Sequence, residues 1–384
     1  KTHLKMKNPD PTTPTSVKFK SPTKLGLKEA LKTAVDEYFE REHIPKTGTF
    51  KLFSKTIILF IMLIGVYSAI LSLEPYTLFN IKIPVFLYVF LFVTLYALLG
   101  LIFASIGFNV MHDAAHGSYS DKDSINESFG YSLNLVGGNL LFWKEKHNIV
   151  HHTYTNVHKH DEDIDIPGMR VNSHQEWKWY HQYQHFYWIF FYSLTYFLWI
   201  FVSDPSKYVF RKIRTDSAKK IPMTAKDHFI FWFSKIFYLT MFVVIPAYYQ
   251  GIAYALVGFL ILLPVCGLVI ATVFQLAHIV ESTDNVSAEN GIIHDDWTAH
   301  QLKTTSNFGT QSKVLSWFVG GLNFQVEHHL FPKTSHIHYP AIRPIVKKTA
   351  ERFGIKYNEE PTLWSAIRSH VRVLKKLGQK PAVA

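Results

Sequence analysis

Along this chain, apolar residues gather into long runs instead of being spaced along one face at a time. Four runs, at residues 52–73, 83–110, 229–249 and 252–275, are nearly free of charge. Each meets the length of about 20 apolar residues that a helix needs to cross a bilayer. The first two are joined by "EPYTLFNIK" and the last two by little more than Gln250 and Gly251, so both pairs read as tight hairpins. A fifth run, "FYWIFFYSLTYFLWIFV" at 186–202, is long but crowded with the aromatics that settle at membrane interfaces. If it crossed, the histidines before it and those after the last span would face opposite sides. The run is therefore assigned to the interface.

Outside the spans the pattern changes. Residues 1–26 are rich in Lys, Pro and Thr and read as a mobile tail. In "LKEALKTAVDEYFERE", Leu27, Leu31, Val35 and Tyr38 recur at helical spacing, which predicts an amphipathic pre-membrane helix within 27–51. The expected fold is an all-α integral membrane protein. Four transmembrane helices form two hairpins in a unit covering 52–384, under a helical cap made by 112–228 and 279–384. Lys and Arg are scarce in the two hairpin connections and abundant before residue 56, between 112 and 228 and after 300. By the positive-inside rule both termini and the cap face the cytoplasm. No internal repeat and no cleavable signal peptide is visible.

Composition narrows the classes further. The chain of 384 residues is 48% hydrophobic and 16% aromatic with a net charge of +11, a balance suited to a membrane protein lying against anionic lipid headgroups. No basic repeat or recognised motif points to nucleic acid. The single cysteine, Cys266, lies in an apolar run, which excludes disulfides and thiolate metal sites.

The histidines, 21 in all, are not scattered. His112 and His116 stand in "HDAAH" after the second span. His147, His151 and His152 stand in "HNIVHH". His278 closes "FQLAH" at the end of the fourth span, and His328 and His329 close "QVEHH". On a helix, positions i and i+4 share a face, while adjacent residues point about 100° apart, so one helix can serve two centres. Eight imidazoles exceed one tetrahedral zinc, and imidazole also suits iron with its higher coordination numbers. Two metals fed by neighbouring segments is the economical solution. Gln325, three residues before His328, points the same way, to ligate directly or to hold a metal-bound water.

Ligating histidines need partners for their second ring nitrogen. Asp113 in the first box, Asp161, Glu162, Asp163 and Asp165 in "HDEDID", Glu281 and Glu327 are the acids placed to supply them, with Asn156 in "HHTYTN" beside the second box. A lone HxxxH pair in a membrane protein is ordinarily packing. Three boxes plus His278 on one membrane face are not. His181, His370 and five other scattered histidines read as surface or interfacial, and His300, His336 and His338 as supporting or surface groups. Phe108, Trp143, Phe274 and Phe324 are candidates to line an apolar tunnel, with membrane-core packing an equal reading for each.

These motifs, together with the tail "HLFP…HIHYPAI", resemble the membrane fatty acid desaturases over nearly the whole chain from about residue 27. The Gln-initiated third box is similar to the front-end branch, which places a double bond between an existing one and the carboxyl end. The resemblance implies a centre of two non-haem irons held by His112, His116, His147, His151, His152, His278, His328 and His329, with Gln325 completing the third box. It also implies O2 as co-substrate and a fatty acyl substrate linked to CoA, a carrier protein or a membrane lipid. No HPGG haem motif accompanies the boxes, so electrons are expected from a separate carrier of cytochrome b5 or ferredoxin type. Two rivals share parts of the pattern. A membrane di-iron hydroxylase acting on fatty acyl chains or sphingolipids shares the metal logic, and a histidine-rich metal transporter would require polar ligands within the spans.

Overall fold

The computed structural model describes residues 17–20, 26–213 and 220–381. The described residues are mostly helical, and the strands among them are two-residue ladders. The amphipathic pattern near the start forms α1 (Leu27–Glu42), whose Leu27, Leu31, Val35 and Phe39 are buried. They pack with Ile342, Val346 and Ala350 of a helix near the C-terminus. The expected mobile tail lies outside the described residues except at 17–20 and Gly26. There the expectation fails: Lys18–Phe19 pair in parallel with Ile292–Ile293, and Val17 is buried beside Val157.

The apolar runs become α2 (Phe50–Ser72), α3 (Val85–Ile106), α4 (Gln184–Leu198), α5 (Ala225–Leu239) and α6 (Ile252–His278). Short π-helical turns lengthen α3, α4 and α5, giving continuous apolar helices at Val85–His116, Trp179–Phe210 and Ala225–Gln250. Five helices, not four, are therefore long and apolar enough to cross a membrane among the described residues. The interfacial run expected at 186–202 is the middle of the third. The first connection is a tight hairpin: Thr77–Leu78 pair with Ile81–Lys82 across Phe79 and Asn80, both at positive φ (48° and 65°), as a two-residue turn matched to strand twist requires.

α3 and α6 run side by side in the same direction, with Tyr96 against Gly258 and Gly100 against the Leu262 carbonyl. Their C-terminal ends carry His112 and His278, so parallel packing delivers both to one end. The third box sits on α7 (Gln325–Leu330), which follows a loop pressed onto the end of α3. A Cβ at Gly320, where φ is +60°, would lie 2.3 Å from the Phe108 carbonyl oxygen. Beyond it come α8 (Tyr339–Arg352) and α9 (Leu363–Gly378), α9 burying Ala366, Val373 and Leu374.

Gly320→Ala therefore combines a disfavoured φ with a backbone clash, and the φ alone costs about 1–3 kcal/mol. It should lower the melting temperature of the detergent-purified protein. Gly107→Ala, where a Cβ meets nothing within 4 Å in a helical backbone, should not. Equal melting of the two variants would show that the loop does not depend on this contact.

Candidate metal centre

Each histidine box owes its placement to a local backbone feature. α3 passes through a π-turn, Gly107–Met111, directly into the helical turn His112–His116. The second box lies on a π-helical turn, Glu145–His151, with the His152 N–H donating to the His147 carbonyl at 3.1 Å. In an i→i+5 turn, residues i+4 and i+5 straddle residue i, so His147, His151 and His152 all face the same region. A regular helix would have turned His152 further away. His278 is the last residue of α6, and His328 and His329 lie in α7.

The eight rings converge. His112 lies 4.7 Å from His116 and 4.4 Å from His328 between centroids, and His147 lies 5.4 and 5.3 Å from His112 and His116. A second set forms from His151, His278 and His329 at 4.8–4.9 Å. His152 stands between the sets, 4.6 Å from His328 and 4.4 Å from His329. The nitrogens of His112, His116, His147 and His328 all lie within 4.8 Å of one another, as do those of His151, His278 and His329, and those of His152, His328 and His329. All eight side chains are buried, and every one of their Nε2 atoms lacks a hydrogen-bond partner. Buried polar atoms are nearly always satisfied, so eight converging exceptions mark a site for cations.

Five of the eight rings are held at the opposite edge, whereas His152 Nδ1 is unpartnered. His147 Nδ1 donates to Asp163 at 2.7 Å and His151 Nδ1 to Asp161 at 2.9 Å. His278 Nδ1 meets the Thr304 carbonyl at 3.2 Å, His328 Nδ1 the Tyr339 hydroxyl at 3.2 Å, and His329 Nδ1 the Gln301 amide oxygen at 2.9 Å. A proton fixed on Nδ1 leaves the Nε2 lone pair free for a metal. Burial, and then the neighbouring imidazoles, push His328 and His329 well below the ordinary histidine range. Burial likewise lowers His147 to about 4 against the pull of Asp163. These rings are neutral at physiological pH, the form that ligates.

The supporting residues expected from sequence divide. Asp161 and Asp163 hold ligand rings directly. Asn156 acts one step back, its side-chain nitrogen donating to the carbonyls of His278 and Thr304 at 2.8 and 3.3 Å. Asp113 accepts from Ser335 and His336, Glu162 pairs with Lys207, and Asp165 accepts from Gln175. None of these bonds is to one of the eight rings, and two further acids also turn elsewhere. Glu281 is half exposed and paired with Arg372, because the chain has already turned outward after His278. The Glu327 carboxylate, one position from His328, turns to Tyr357 and Asn307 at 2.6 and 2.8 Å. Gln325 is buried in the first turn of α7 with its side-chain nitrogen unpartnered. Gln301, Thr304 and Tyr339 went unrecognised; nothing in their local sequence marks them, since they meet the boxes only through the fold. His181 and His370 are buried, not superficial, His370 lying between the Tyr192 hydroxyl and the Ile279 carbonyl.

Trp143 stacks on His147 at 4.4 Å, with Phe274 at 5.8 Å from the same ring and Phe108 against Phe274. Phe324 instead packs with α1 and α8, away from these rings. A cavity of about 510 Å³ opens beside His116, with Leu140, Leu141 and Ile230 on its apolar side and Lys144, Lys333, Glu127 and Asp227 among its polar lining.

A family model described as "Fatty acid desaturase" matches residues 87–361. The chain is 32% identical over 364 residues to the sn-1 linoleoyl-lipid 6-desaturase of Arthrospira platensis, covering 93% of this chain and 94% of that protein. It is 32% identical over 376 residues to the protein of the same name from Synechocystis sp., covering 95% and 99%. To the acyl-lipid (8-3)-desaturase of Physcomitrium patens it is 35% identical over 287 residues, covering 73% and 59%. The chain belongs to the fatty acid desaturase family and is an oxidoreductase of fatty acyl chains in membranes.

Two outcomes follow from this geometry. Asp161→Asn weakens the hold on His151 and should reduce metal affinity by about 10–100-fold in a chelator titration. Glu281→Gln should leave it unchanged. Glu327 is the second case: burial raises its carboxyl to about 7 from 4.5, against hydrogen bonds from Tyr357 and Asn307. The folded protein thus holds this proton more tightly than the unfolded chain. Its contribution is fully present below pH 4.5 and is lost as pH rises through about 7. Glu327→Gln should flatten the dependence of melting temperature on pH across that window; parallel curves for variant and wild type would reject the assignment.

Proposed function

We propose that this desaturase inserts a cis double bond into a fatty acyl chain carried on a membrane lipid, on the carboxyl side of an existing double bond. The observation that carries the reading is the division of eight unpartnered Nε2 atoms into two buried sets. Similarity to lipid-linked 6-desaturases over nearly the full chain supports the substrate and the position of the bond.

The donor set fits iron: neutral nitrogen ligands, more of them than a tetrahedral zinc takes. His112, His116, His147 and His328 would hold one ion and His151, His278 and His329 the other. His152 lies beside both, and Gln325 contributes its amide directly or through water. When bound, a pair of irons supplies the O2-dependent redox chemistry that removes two hydrogens from adjacent methylenes, which side chains alone cannot do. Reducing O2 to two waters takes four electrons and the new alkene releases two, so a carrier of cytochrome b5 or ferredoxin type delivers the remaining two. Asp163, Asp161, the Thr304 carbonyl, Tyr339 and Gln301 keep Nδ1 protonated and Nε2 aimed inward on His147, His151, His278, His328 and His329. Trp143 and Phe274 screen the rings from water. The cavity beside His116 suits the polar end of the substrate, with its acyl chain reaching the irons from there.

The same reading places the cap on the cytoplasmic side, above four crossing helices in a membrane unit of residues 52–384, preceded by α1 and its connection within 27–51. Box two and His278 share a site, so the number of crossings between them must be even. Three apolar helices lie between them, and α5 and α6 are joined through Gly251 as a hairpin. The Trp179–Phe210 helix is therefore the one that does not cross. Both its ends are tied to the cap: Gln184 donates to the Leu374 carbonyl at 2.7 Å, and Lys207 reaches Glu162 at 3.3 Å.

The test is product analysis in a host fed defined unsaturated acyl chains, with gas chromatography of its lipids. A new bond on the carboxyl side is expected. One on the methyl side would overturn the front-end assignment, and a hydroxylated chain would overturn desaturation in favour of oxygenation. Gln325→Ala should insert normally and lose at least about tenfold in product; full activity would leave Gln325 as packing alone.

A further inference from the structure

Three segments distant in the chain are stitched together beside the first box. They are 46–56, leading into α2; 113–119, leaving the first box; and 335–338, following the third. The Ser335 N–H donates to the Lys46 carbonyl at 2.8 Å, the Gly48 N–H to the Ser118 carbonyl at 3.0 Å, and the Tyr119 hydroxyl to Thr56 Oγ1 at 3.0 Å. At the centre of this seam lies a chain of buried charged and polar groups. One carboxylate oxygen of Asp113 accepts from Ser335 Oγ at 2.7 Å, His336 Nδ1 at 3.0 Å and the His336 N–H at 3.2 Å. The other ring nitrogen of His336 lies 3.2 Å from Lys55 Nζ. Lys55 is only 6% exposed in the second turn of α2, with its ammonium 5.2 Å from the Trp317 ring.

With Lys55 charged, the hydrogen bonds of this chain run in one direction. An ammonium has donors and no acceptor, so Lys55 donates to Nε2 and the imidazole carries its proton on Nδ1, toward Asp113. A buried cation and a buried carboxylate are thus joined through a neutral ring. Asp113 directly follows His112, and His336 lies seven residues beyond His329 on the segment leaving the third box. His112 and His328 are the closest-packed rings of the first set, at 4.4 Å.

We propose that Lys55, His336 and Asp113 are positioning residues that set the first box against the third, making the first membrane helix part of the scaffold of one metal centre and not of the other. The inference rests on the metal-dependent desaturase reading. None of the three side chains is a ligand; they act by fixing the rotation of the His112–His116 turn relative to α7. The second set, on His151, His278 and His329, is braced instead by Asp161, Thr304 and Gln301 and does not depend on the seam.

The test uses the full-length purified protein loaded with iron. Lys55→Met keeps the volume and removes the charge, and His336→Ala removes the bridge. Both should lower kcat by about 10–100-fold with KM within about twofold, as loss of a ligand-orienting partner does. Mössbauer spectra should show loss or change at one of the two iron environments. His336→Gln should recover much of the activity, since its amide can donate to Asp113 and accept from Lys55. Wild-type kcat and unaltered spectra in Lys55→Met would overturn the proposal. Equal loss from both iron environments with a lowered melting temperature would also overturn it, since that marks a purely structural seam. Should His336→Ala fail to insert, Lys55→Met and His336→Gln decide the matter. A wild-type protein without iron or without a desaturated product would refute the underlying reading, whereas an active, iron-loaded wild type matched by Lys55→Met refutes the positioning role alone.

Discussion

Everything in this molecule is subordinate to holding eight imidazole nitrogens together, out of water and without hydrogen-bond partners. Leaving a buried acceptor unsatisfied costs about 1–3 kcal/mol, so a fold would not gather eight of them by chance. Cations held there would satisfy these acceptors, and ion binding would then be part of the folding free energy. The same requirement also explains why the rings gather at the ends of the apolar helices and not along their middles. A ligand there can borrow carbonyls, carboxylates and amides to orient it, whereas the hydrocarbon offers none.

The membrane helices serve that requirement by direction. α3 and α6 pack in parallel through small residues, with Gly258 lying under the Tyr96 ring and Gly100 on the α6 backbone. Two parallel helices end at the same face, so His112 and His278 arrive together without long connections. The remaining boxes come from the cap side and are pressed onto those two ends: box two through its π-turn, and box three through the loop at Gly320. The π-turns are local distortions of the helical ladder and cost hydrogen-bond geometry. Two of the four among the described residues stand at the end of α3 and under box two, where rotation of a side chain by part of a turn decides whether it reaches the site.

How much of this could be read from residues alone follows from what is local. The spans were legible to within a few residues because hydropathy is a property of short windows. The boxes were legible because HDAAH, HNIVHH and QVEHH carry their chemistry in residue type and spacing. The π-turns were not, since the choice between i→i+4 and i→i+5 bonding depends on tertiary contacts. Nor were Gln301, Tyr339 and the Thr304 carbonyl, which become partners only when distant segments meet. Glu281 and Glu327 looked suitable by proximity, but Arg372 and the Tyr357–Asn307 pair compete for them more effectively. The Trp179–Phe210 helix illustrates the opposite limit. Its length and hydropathy suffice to cross a bilayer, and only the parity of the histidine sites and its tethered ends argue that it does not.

The support given to the two ion positions is unequal, and this bears on their chemistry. Neutral imidazoles cannot balance the charge of two cations in a low-dielectric interior, so the compensating charge must stand behind them. The carboxylates that touch ligand rings, Asp161 and Asp163, both do so in box two. Lys146 also pairs with Asp163, and Lys207 with Glu162, spreading that negative charge into a buried network that ends on the Trp179–Phe210 helix. The rings of box three and His278 are held by an amide, a phenol and a carbonyl, which carry no formal charge. Box two spans both sets, with His147 in one and His151 in the other. Each set therefore contains one histidine backed by a carboxylate, which would be the most basic ligand of any ion held there.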